Sequence, residues 1–196
     1  MTARMSPAFV QPLAMRAWAT AATYVVIYGV TFAFFAPPAT RLASGAHGGF
    51  DGAATTFALL LLAALTVTFG AMMFSYSIGW RVESDLRRHR MSETRAHIEF
   101  ASMGTLLALA TAGVFLLIVG EGSPVSTSLM GAAVLALVVP GMAAAFFTRS
   151  VVEHVAAAKR EMFATSLSAL VVIVLVNYLI VGSLPSLADL PQFFGL

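Results

Sequence analysis

RVESDLRRHRMSETRAHIE, residues 81–99, gathers five of the chain's eleven basic residues and four of its nine acidic ones into one short stretch. Apolar runs long enough to cross a bilayer lie on both sides of it, so the stretch must lie in water or against lipid headgroups. Upstream, residues 54–79 carry no charge and end at Tyr76 and Trp80, aromatics suited to a membrane interface. Downstream, residues 100–119 form another uncharged run, closed by Gly120-Glu121-Gly122-Ser123-Pro124. This is a turn signal.

Further out, residues 17–35 hold no charge over about 28 Å of helix at the α-helical rise. That run is longer than the apolar core of a secretory signal, and Pro37-Pro38 stands where a cleavage site belongs, so it reads as a first span. Residues 36–53, with two prolines and several glycines, read as a loop. A fourth span covers about 128–147, with Ser126, Thr127 or Ser128 as its N-cap, and a fifth covers 163–182. A second polar connector, 148–161, lies between them.

Composition agrees with this layout. Hydrophobic residues make up 59% and charged residues 10%, with mean hydropathy +0.89, whereas soluble domains are about one quarter charged. The expected fold is all-α, a single membrane domain over 1–196 built as a bundle of five transmembrane helices. The absence of cysteine excludes disulfides, thiolate metal sites and cysteine nucleophiles. The net charge of +2 follows sidedness and gives no reason to expect a nucleic-acid partner.

Sidedness can be counted. With 81–99 inside, Arg4, Arg16, Arg149, Lys159 and Arg160 join its five arginines, and Arg41 alone lies outside. This positive-inside bias puts the N-terminus inside and the C-terminus outside. The excess of arginine over lysine and the abundance of alanine are compatible with a bacterial inner membrane.

Chemistry is sparse within the spans. None carries an ionisable residue at its middle, and such residues are the usual parts of proton relays and ion paths. Asn177 beside Tyr178, and Pro140-Gly141, whose proline frees a backbone carbonyl, are the candidates for a substrate path. His89, Glu93 and His97 share one face if the connector is helical. With His154 they form a candidate metal site at the inner surface. The bland alternative is a solvated helix supported by spacings such as Glu83 to Arg87. Arg87, Arg88 and Arg90 are placed to attract anionic lipid headgroups.

Small residues recur at Ala17 and Ala21, Gly29 and Ala33, Gly104, Ala108 and Ala112, and Gly141 and Ala145. Such spacing lets helices pack closely, within a chain or between chains. No catalytic residue and no cofactor is expected. The leading functional expectation is a non-catalytic accessory or structural subunit of a larger membrane complex, with the bilayer, other membrane subunits or further copies as partners. A small oligomeric channel or transporter is the alternative, and a metal-dependent enzyme at the inner surface the second.

Overall fold

Pro37 and Pro38 do not end the first helix. In the computed structural model, which describes residues 13–45, 52–88, 90–120 and 126–183, α1 runs from Leu13 to Ser44 with both prolines inside it. The first part of the loop expected at 36–53 is therefore helical, as far as Ser44, and residues 46–51 of it lie outside the described residues. Proline's fixed φ is helical, and its local cost is the lost backbone donors. Burial offsets that cost here, because Ala39 and Ala43 beyond the prolines are fully enclosed.

The remaining helices are α2 (Gly52–Met72), α3 (Ile78–Arg87), α4 (Glu93–Gly120), α5 (Thr127–Ala133), α6 (Val139–Ala157) and α7 (Lys159–Ser183). Two π turns, Met73–Ser77 and Val134–Val138, join α2 to α3 and α5 to α6. Five of the resulting rods are long and apolar enough to cross a membrane, and no strand occurs among the described residues. Ser126 caps α5 by accepting from Leu129 N at 3.2 Å. The turn at 121–125 and both tails lie outside the described residues.

Each π turn has a local cause or consequence. Pro140 cannot donate to the carbonyl of Ala136, and the helix widens just before it, with Val139 N–H bonded to Val134 O. The Tyr28 hydroxyl approaches the released Ala136 carbonyl at 3.4 Å. In the other turn, Phe74 and Gly79, five residues apart, are both buried, as are Val82, Glu83 and Leu86 after them. The five-residue step is the π register, and it rotates the rest of the rod by about one residue relative to a continuous α-helix. Gly79 is required there, since a Cβ would collide with the carbonyl oxygen of Phe74.

In lipid, close approach of backbones replaces the hydrophobic effect as the force joining helices. The seam between α4 and α6 is built this way. A methyl on Gly141 would sit 2.7 Å from Ala108 Cβ, and one on Gly104 would overlap Ala145 Cβ. Thus Gly104, Ala108, Gly141 and Ala145 meet within one chain. Gly29 faces Val172 of α7, and Gly70 lies under the ring of Tyr24. Aromatic side chains fill the centre: Tyr24 and Phe74 rings lie 4.9 Å apart, and Phe74 stacks on Phe100 at 5.1 Å.

Candidate functional site

Four charged residues that are far apart in sequence meet at the end of the bundle carrying residues 81–99. Arg16 stands one turn into α1, Glu83 on α3, Glu93 at the first position of α4 and Arg149 on α6. Arg16 Nε lies 2.6 Å from Glu83 Oε2. Arg149 Nη1 donates to the other Glu83 oxygen at 2.5 Å, so each oxygen of that carboxylate serves a different guanidinium. The remaining nitrogens of Arg149 form a fork on Glu93, with Nη2 2.8 Å from Oε2 and Nε 3.2 Å from it. Two cations and two anions therefore form one neutral unit.

Burial gives the arrangement its energetic weight. Arg16, Glu83 and Arg149 are each 1% exposed, while the Glu93 side chain is 52% exposed. Isolated charges at such sites are strongly disfavoured and persist only when paired and hydrogen-bonded. Planar guanidinium groups suit this bridging because they donate in fixed directions to two carboxylates at once. Glu93 also lies at a helix N-terminus, where the backbone dipoles favour an anion.

The sequence places these four residues on the right faces without announcing their union. Glu83 shares its face with buried Gly79, Val82 and Leu86, and Arg149 shares one with Ala145, Thr148 and Val152. A charge in phase with an apolar stripe is the signal that marks them as inward-facing. The solvated Glu83 to Arg87 spacing does not describe Glu83, which is enclosed between Arg16 and Arg149.

The candidate metal ligands stand differently. The connector is not one helix: α3 ends at Arg87, and α4 begins at Glu93 after Ser92, whose hydroxyl accepts from Arg95 N at 3.3 Å. The shared face assumed for His89, Glu93 and His97 is thus interrupted, and His89 itself lies outside the described residues. Glu93 is committed to Arg149. His97 Nε2 is 3.2 Å from Ser150 Oγ and its Nδ1 is 3.0 Å from Glu93 O. His154 is exposed on α6. Among the described residues, no three His, Cys, Asp or Glu side chains come together as a metal site requires.

The candidate substrate-path residues are also separated. Pro140 and Gly141 are buried against α1 and α4, next to the Tyr28 hydroxyl and Ala108. Asn177 and Tyr178 are exposed on α7, and the Asn177 amide donates to Ile173 O of its own helix at 2.8 Å. Arg88 and Arg90 are exposed at the charged end; the Arg87 side chain is outside the described set. Beside them, Arg81 bridges to Glu99 at 2.9 Å and Arg95 to the same carboxylate at 3.6 Å. Such exposed pairs contribute about 0–1 kcal/mol. No family model, curated protein or solved structure matches this chain.

Proposed function

We propose that the chain is a non-catalytic integral membrane subunit that acts by packing against partners in the bilayer. The observation that carries this reading is the contrast between its closed charges and its open helix. Its charged groups nearest the hydrophobic core, Arg16, Glu83 and Arg149, are bound up with one another in ion pairs. By contrast, only 6% of the membrane window of α7 is buried, against 33–50% for the other four spans. An apolar helix so loosely covered is a surface for lipid or for another membrane protein.

On this reading the charged end lies in the cytoplasm of a bacterial cell, the N-terminus inside and the C-terminus outside, as the positive-inside count supports. The test is the mass of the native complex in nanodiscs, with co-purifying proteins identified. The expected result is a second membrane protein at fixed stoichiometry, lost when Leu167 and Val174 on the outer face of α7 are replaced by Trp. A homo-oligomer that conducts solute in liposomes would replace this reading with the channel. A monomer without partners would defeat it.

A further inference from the structure

Trp18 and Trp80, the only two tryptophans of the chain, line one groove at the charged end. The groove has a volume of about 360 Å³ and runs between Trp18 and Ala21 of α1, Ala71 and Met72 of α2, and Tyr76 and Trp80 beyond them. A second hollow of about 180 Å³ shares Trp18, Ala21 and Ala71 and extends to α7. The first combines Ala17, Ala21 and Ala71 with the exposed aromatics Trp18, Tyr76 and Trp80, and the second has Trp18 as its aromatic. Tyr76 belongs to the π turn Met73–Ser77, and π turns are frequent at functional sites.

The lining selects hydrocarbon. Trp18 Nε1 donates to Ser166 Oγ at 2.9 Å, Ser166 donates to Met162 O at 2.7 Å, and Ser75 donates to Ala71 O at 2.8 Å. The polar atoms of these side chains are turned to each other or to their own helices, so a polar solute would find little to bond.

The mouth selects charge. The buried unit draws Glu83 and Glu93 out of the connector and pairs them with Arg16 and Arg149 from other helices. Among the described side chains of residues 81–99 this leaves Arg81, Arg88, Arg90 and Arg95 against Asp85 and Glu99. Arg81 directly follows Trp80, and its side chain, bridged to Glu99 at 2.9 Å, is still 62% exposed. A cationic surface adjoining an apolar, aromatic-lined groove complements one amphiphile in particular. We propose that this groove is a binding site for an anionic phospholipid, one acyl chain lying between Trp18 and Trp80 and the headgroup towards Arg81, Arg88 and Arg90. Because hydrocarbon gains little by moving from bilayer to groove, headgroup charge provides the selectivity.

Both tryptophans report on the site. The full chain is reconstituted in phosphatidylcholine vesicles in which about one tenth of the lipid is replaced by bromine-labelled phosphatidylglycerol or by bromine-labelled phosphatidylcholine. Tryptophan quenching is expected to be at least about threefold stronger with the anionic label, since its surface attraction adds to binding. Unlabelled phosphatidylglycerol reverses the excess, whereas added phosphatidylcholine does not. Ala71→Phe, which fills the groove, removes the excess. Should that variant not fold, Arg88→Gln with Arg90→Gln, confined to the surface, lowers it. Equal quenching by the two labels would overturn the proposal. So would an excess that survives groove filling in a folded Ala71→Phe protein, or that survives the arginine variants. Quenching by neither label, with fluorescence depending on protein density, would assign the groove to a second copy and overturn it equally.

Discussion

Glu83→Ala is expected to cost about 3–5 kcal/mol of stability, the range for removing one partner from a buried ion pair. The substitution leaves Arg16 and Arg149, both 1% exposed, without the carboxylate that separates them. Two guanidinium groups would then repel across a site closed to water, with Arg149 still held by its fork on Glu93. Thermal unfolding in mild detergent checks this, with Glu93→Gln as the comparison. That residue is half exposed although its partner Arg149 is buried, so its loss should cost less, about 1.5–3 kcal/mol, the range for a hydrogen bond to a charged group. Equal effects of the two variants would mean that burial does not set the weight of the network.

The second large effect belongs to the seam between α4 and α6. Gly104→Leu is expected to cost at least about 3 kcal/mol, at or beyond the upper end for overpacked cores. Even a Cβ at this position overlaps that of Ala145, and both helices are pinned at the charged end by Glu93 and Arg149. They cannot part without breaking the fork. Gly113 lies on the same helix, and a Cβ added there would meet nothing within 4 Å. Gly113→Leu should therefore leave the melting temperature nearly unchanged, and similar losses at both glycines would refute the close-approach account.

What the sequence discloses of this fold depends on how local the cause is. The membrane class and the five spans follow from uncharged apolar runs, and the Ser126 cap follows from residue type and position. The first helix outruns its expected end because Ala39 and Ala43 gain partners from distant segments, which no local reading of Pro37-Pro38 contains. The small-residue spacings were legible as packing faces. That Gly104 and Gly141 face each other's helices within one chain is a property of the tertiary arrangement.

The charge network was the least legible feature, although each of its members was visible. Arg16 reads as one of the inside charges and Glu83 as part of a solvated connector because a linear reading assigns charges near span ends to water. The one-residue step of the π turn between Phe74 and Gly79 sets which side of the rod Glu83 occupies. A register change of that kind follows from packing, and only then do residues 16, 83, 93 and 149 share a site. The interrupted connector has a similar origin: α3 ends at Arg87 and Ser92 starts a new helix at Glu93, so the continuous helix that the shared face assumes is absent among the described residues.

The central claim is that this network serves architecture, fixing four helices in register while partners are met elsewhere. Replacing its buried members together by apolar residues, Arg16→Met, Glu83→Leu and Arg149→Met, tests it most directly. Such replacements of buried ion pairs are often neutral or stabilising by about 1–4 kcal/mol. The variant is predicted to remain monodisperse, to melt at or above the wild-type temperature, and to retain the same proteins in native nanodiscs. A variant that is equally stable and monodisperse but has lost those partners would contradict the claim, and would place the function in the charges themselves.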